Sequence, residues 1–256
     1  MANGQHLMRR ITATSTRRKV LGFLGGTMVV SLLGCLKRKS AAENPANSSI
    51  PAVAASSTCA VRPEQTEGPY FVNERLNRAD IRSDSSDGSI RQGMPLRLVF
   101  QVSQITDQSC LPLSGAIVDV WHCDAEGIYS DVIDRGFNTI GKKFLRGYQM
   151  TDGKGMAEFI TIYPGWYPGR AIHIHFKIRT TPSLPEGQEF TSQLYFDDAL
   201  SDRVHAQAPY RKEGKRRLNR EDGIFRRGGE QLTLQLTQTQ AAEGYVGRFD
   251  IALKQT

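Results

Sequence analysis

From Ile172 to Ile178 the chain reads Ile, His, Ile, His, Phe, Lys, Ile. Alternation of this kind is the period-2 signature of a β-strand, whose residues i and i+2 share a face. Ile172, Ile174 and Phe176 then make one apolar face, and His173 and His175 project together from the other. The same punctuated, strand-like pattern recurs at Arg97–Val102, Ala116–Trp121, Gly155–Ile162, Ser192–Phe196, Gln231–Thr237 and Arg248–Leu253. The second and third of these follow turn signals, Leu113-Ser114-Gly115 and Thr151-Asp152-Gly153. No long stretch has sustained helical periodicity, and helix is expected only in short pieces such as one around Asp198–Val204. Several short strands with long loops predict an all-β fold, a β-sandwich of mostly antiparallel strands.

The formal charge of +7 is unevenly spread over the 256 residues. Residues 1–35 hold Arg9, Arg10, Arg17, Arg18 and Lys19 with no acid, so removing them leaves +2. That balance gives no reason to expect a nucleic-acid partner. Thr16–Leu21 resembles a twin-arginine export signal, and the apolar run Val20–Gly34 suits a signal core better than a membrane span. The run ends in Leu32-Leu33-Gly34-Cys35, similar to a lipobox, so residues 1–35 are read as an export signal with lipidation, and hence membrane anchoring, at Cys35. A bacterial envelope or periplasmic location follows. Residues 36–61, rich in Ala, Ser, Asn and Pro over Ser40–Thr58, read as a tether, and residues 62–256 as the domain. In an oxidising compartment Cys59 and Cys110 are candidates for a disulfide, with the pairing left open, and Cys123 reads as a buried thiol. The basic stretch Tyr210–Arg227, with only Glu213, Glu221 and Asp222 as acids, reads as a solvated surface loop.

Two histidines on one strand face suit a metal, but they need further ligands. His6, His122 and His205 are scattered, and His122, at a strand end, is read as structural. Tyrosines surround the strand instead: Tyr163 and Tyr167 before it, and Tyr129 farther upstream. A phenol titrates near 10 and ligates divalent ions poorly, whereas a more acidic ferric ion takes it as phenolate.

Four segments carry a resemblance to the intradiol ring-cleavage dioxygenases: Glu67-Gly68-Pro69-Tyr70-Phe71, VDVWHCDAEGIYS (118–130), IYPGWYPGR (162–170) and RAIHIHF (170–176). Their order and spacing are more specific than any one of them. The resemblance implies non-haem Fe(III) held by Tyr129, Tyr167, His173 and His175, and a catecholic substrate opened between its hydroxyls by O2 to a muconate-type diacid. It further implies Tyr167 as proton acceptor, Arg170 as stabiliser of negative charge on the ring, Gln193 as an orienting group, and Pro69, Tyr70 and Trp166 along the substrate pocket. Two departures stand out. Ile172 replaces a frequent proline, and Gly169-Arg170 lacks an insert that many relatives carry, which puts substrate choice in doubt. Tyr163 and Tyr148 are read as packing residues. A non-catalytic β-sandwich that binds aromatics or carbohydrate, and a zinc or copper sandwich, are the competing readings. Which catechol is used, and whether the chain forms a homo-oligomer, are open.

Overall fold

The computed structural model describes residues 59–107, 109–180, 187–239 and 243–254. The export signal, Cys35 and nearly all of the tether lie outside the described residues. The chain lays down β1 (Pro95–Thr106), β2 (Ser109–Pro112), β3 (Ile117–Trp121), β4 (Ile133–Asp134), β5 (Phe137–Asn138), β6 (Arg146–Met150), β7 (Met156–Ile162), β8 (His173–Arg179) and β9 (Glu189–Tyr195). A helix, α1 (Asp198–His205), two 3-10 turns and strands β10 (Gln235–Gln238) and β11 (Tyr245–Lys254) follow.

One sheet runs β10-β11-β1-β2, with β7 also paired to β1; the other runs β6-β3-β8-β9. All pairs are antiparallel except β1 with β11. Alternate residues of both sheets are buried in one apolar core: Leu98, Phe100 and Val102 of β1, Val118 and Val120 of β3, Ile174, Phe176 and Ile178 of β8. Phe176 of one sheet meets Phe100 and Phe249 of the other at ring distances of 5.3 Å each. Sandwich architecture and the scarcity of helix thus match the expectation. The helix is stopped at its start by Asp197, whose carboxylate accepts the Leu200 N–H, a side-chain cap of ordinary kind.

One segment differs from its sequence reading. Gln231–Thr237 is not one strand: Gly229–Leu232 forms a 3-10 turn and pairing with β11 begins only at Gln235. Leu232 and Leu234 are buried there, so the apolar alternation reports chain crossing the core edge rather than a ladder. Tyr210–Arg227 is mostly exposed, as read, but it is tied to the domain at three points. Tyr210 is buried and donates to the Tyr163 carbonyl. Arg216 pairs with Asp198 and Asp202, and Asp222 is buried. Cys59 and Cys110 are joined as a disulfide, tying the first described residue to β2, and Cys123 is a buried free thiol.

Candidate active site

The register of the second sheet assembles one wall of the site. Across β3, β8 and β9, Trp121, His175 and Gln193 stand in one row, and His173 stands opposite Tyr195. Trp121, His173, His175 and Gln193 lie outside the main apolar core. On an open sheet that face would be solvated, but here the segment 63–71 lies over it. Gln65 N–H donates to the Thr191 carbonyl, and Ser192 Oγ donates to the Pro63 carbonyl. Gly68 takes φ 72°, and a Cβ there would come within 3.2 Å of His175 Cε1, so a side chain would be strained and would crowd the imidazole. Trp121 stacks on His175 from the side, with ring centroids 5.0 Å apart and planes 8° from parallel.

Two loops bring in the phenols. After β3 the carboxylate of Asp124 accepts the N–H groups of Glu126 and Ile128, closing a turn. Gly127, at φ 87°, sits where a Cβ would fall 2.3 Å from the Trp166 carbonyl oxygen; only glycine lets this loop dock on residues 163–167. Gly165 N–H donates to the Asp124 carbonyl across the same seam. As a result the rings of Tyr129 and Tyr167 meet edge to face at 5.7 Å.

Polar atoms converge on His173 Nε2. Tyr167 Oη lies 3.2 Å away, His175 Nε2 3.0 Å, Arg170 Nη1 3.4 Å and Tyr129 Oη 3.5 Å. His173 Nδ1 faces the Ala171 carbonyl at 2.7 Å, which puts the ring proton on Nδ1 and a lone pair on Nε2. Both imidazoles are buried. Burial first, then Arg170, lowers the His173 pKa to about 3, and burial with the His173 ring beside it takes His175 well below its ordinary value. Burial pushes Tyr167 up to about 12 and Tyr129 well above 10. At neutral pH the metal-free cluster is therefore four uncharged donors, two nitrogens and two oxygens, around a common point. This set could hold one metal ion. Two ionisable phenols and no carboxylate fit a hard trivalent ion that displaces phenol protons better than zinc, which favours thiolate and imidazole.

Arg170 is held at its other corners. Nε donates to Asp222 Oδ2 at 2.9 Å and Nη2 to Gln193 Oε1 at 2.5 Å. The Gln193 amide is engaged at both ends: Nε2 donates one N–H to the Thr66 carbonyl, and Oε1 also accepts from Tyr195 Oη. Asp222, Tyr195 and Thr66 escaped the sequence reading; the one available hint was Asp222 as an acid before glycine inside a basic stretch.

Tyr70 stacks on Tyr129 at 4.4 Å and donates its hydroxyl to Asp134 on the β4–β5 hairpin. Beside it opens a cavity of about 950 Å³, lined in part by Tyr70, Ile128, Phe137, Tyr167, Pro168 and Arg211. Pro69 is exposed and not part of this lining, and Trp166 is buried beneath Arg211, whose guanidinium lies 5.2 Å from its ring. His122 is outside the cluster, satisfied by the Cys123 carbonyl and Thr161 Oγ1. Tyr163 is a packing residue bonded to Ser201, and His205 bonds the Pro164 carbonyl.

A family model described as a dioxygenase matches residues 66–253. A solved intradiol ring-cleavage dioxygenase from Tetranychus urticae superposes with a TM-score of 0.66 at 30% identity, covering 77% of this chain and 95% of that one. The chain belongs to the intradiol ring-cleavage dioxygenase family. Among curated proteins, the protocatechuate 3,4-dioxygenase beta chain of Burkholderia cepacia is 29% identical over 137 residues, covering 50% of this chain and 56% of that protein. Chlorocatechol 1,2-dioxygenase of Pseudomonas sp. (strain P51) is 28% identical over 149 residues, covering 51% and 54%. The chain thus spans about half the length of the curated relatives it matches. Three of the four motif segments of this intradiol family member supply Tyr129, Tyr167, His173 and His175, and the fourth, Glu67–Phe71, places Gly68 against His175.

Proposed function

We propose that this protein is a non-haem Fe(III) dioxygenase that opens a catecholic ring between its two hydroxyls with O2, releasing a muconate-type diacid. The observation that carries the reading is the convergence of Tyr129, Tyr167, His173 and His175 next to a cavity able to admit an aromatic ring. In this reading those four side chains hold the iron. A bound ferric ion would supply the redox chemistry that lets an electron-rich catecholate ring react with O2. Tyr167 lines the cavity and accepts a proton from a substrate hydroxyl as the catechol ionises. Arg170, aimed into the cluster, stabilises negative charge on the ring. Gln193, whose amide is already engaged, acts by holding Arg170 rather than by meeting substrate itself. The segment 65–71 and Trp121 exclude water from the imidazoles. The cavity volume leaves room beyond one ring, which supports a substituted catechol as substrate.

The test is the visible spectrum of the iron-loaded domain with O2 uptake. A phenolate-to-iron band that shifts on anaerobic addition of catechol, followed by O2 consumption, is expected. A colourless protein after ferric reconstitution would remove the reading. We further propose export with lipid anchoring at Cys35, on the strength of the twin arginines and the Leu-Leu-Gly-Cys ending; Cys35→Ala is expected to move the protein from the membrane to the soluble fraction.

A further inference from the structure

We propose that Asp222 is a positioning residue of this site, one carboxylate that aims the Arg170 guanidinium. Asp222 Oδ2 accepts from Arg170 Nε at 2.9 Å and from the Ala171 N–H at 2.8 Å. The carbonyl of that same residue, Ala171, accepts the His173 Nδ1–H at 2.7 Å. Oδ1 accepts the Ile224 N–H at 2.7 Å, so the carboxylate cannot swing without losing a bond on either side. It is also buried, at 1% exposure.

The geometry explains what this accomplishes. A guanidinium is planar, and fixing two of its corners fixes the direction of the third. Asp222 holds Nε and Gln193 holds Nη2, which leaves Nη1 facing His173 Nε2 at 3.4 Å. The long side chain is therefore ordered before any substrate arrives. The carboxylate also offsets a buried positive charge beside a site that is to hold a cation. A merely structural Asp222 would do less. It closes its own turn, with the Arg226 N–H donating to its carbonyl, and a role confined to that turn would weaken folding equally with or without Arg170.

The inference rests on the dioxygenase reading for its catalytic arm only. In the iron-loaded domain, Asp222→Asn is expected to lower kcat about 10- to 100-fold, with iron content unchanged and KM within about threefold. In an Arg170→Gln background the same substitution is expected to change kcat by less than about twofold. Equal losses in both backgrounds, or no loss in the first, overturn the proposal. A second arm needs no iron. In 15N-labelled metal-free domain, the Arg170 Nε–H signal, assigned as the one missing from Arg170→Gln, should exchange with solvent at least about tenfold faster in Asp222→Asn; unchanged exchange overturns the proposal. If the wild type takes up no O2 with any catechol, the dioxygenase reading fails while this arm still decides the role of Asp222. Asp222→Ser, small enough to admit a water where the carboxylate stood, is the second variant should Asp222→Asn not fold.

Discussion

Strand β8 and the second half of β9 are buried on both faces, and alternate residues do opposite things. Ile174, Phe176 and Leu194 face the sandwich core, fully buried among aliphatic and aromatic side chains. Burial of such groups stabilises by about 1.5–3 kcal/mol each. One residue away along the strands, His173, His175 and Gln193 are equally buried, yet they are polar, and each must find partners under the segment 63–71. Burial alone therefore does not separate core from site; what separates them is whether buried polar groups are satisfied by their own sheet. His175 Nδ1 has no hydrogen-bond partner among the described residues, and His173 Nε2 shares its neighbourhood with four other polar atoms. A surface of this kind lowers stability unless something binds it.

The contrast can be broken most forcefully at the histidines. His175→Ala should abolish iron binding and with it the visible band and O2 uptake, while the far-UV circular dichroism keeps its β signature. A retained band would mean that the polar face holds no metal through His175. Tyr167→Phe is expected to cost about 10²–10⁴-fold in turnover with the protein still folded, as read by O2 electrode and thermal melt. On the apolar face Phe176→Ala should cost about 3–5 kcal/mol in a urea titration, and the molecules still native should bind iron as before. If instead activity fell and stability did not, the two faces would not be separable.

A pH titration sharpens the same point. His122 and His205 are buried, and burial lowers each to about 4. The unfolded chain takes up their protons as pH drops below about 6.5, whereas the folded one does not until about 4. Stability is thus complete above 6.5 and declines toward 4, by on the order of 3 kcal/mol for His122 alone. Urea midpoints of metal-free protein at pH 7 and pH 4.5 measure it, and Phe176→Ala should lower both equally. The smallest effect belongs to Tyr70→Phe. It removes the bond to Asp134 from a half-buried ring, and should cost about 1 kcal/mol without altering iron content.

The sandwich was legible because alternation over Arg97–Val102 and Ile172–Ile178 encodes one buried face, and the histidine pair because i and i+2 must share a side. The phenols were legible only through the four motif segments: nothing in the spacing of Tyr129 and Tyr167 says that a turn closed by Asp124 docks on residues 163–167. Leu232 and Leu234 misled because burial at a core edge mimics strand alternation. The basic stretch concealed Asp222 and Tyr210, since composition averages over residues that tertiary contacts treat one by one.

By itself, then, the sequence determined the fold class, the apolar face of strands such as β1 and β8, and the family, all of which depend on local period and short motifs. Tertiary structure alone decided that Trp121, His175 and Gln193 form a row, that residues 63–71 roof it, and that a carboxylate 52 residues beyond Arg170 holds its guanidinium. The physical reason is that register and loop docking join segments far apart in the chain, and no local pattern carries the free energy of such contacts.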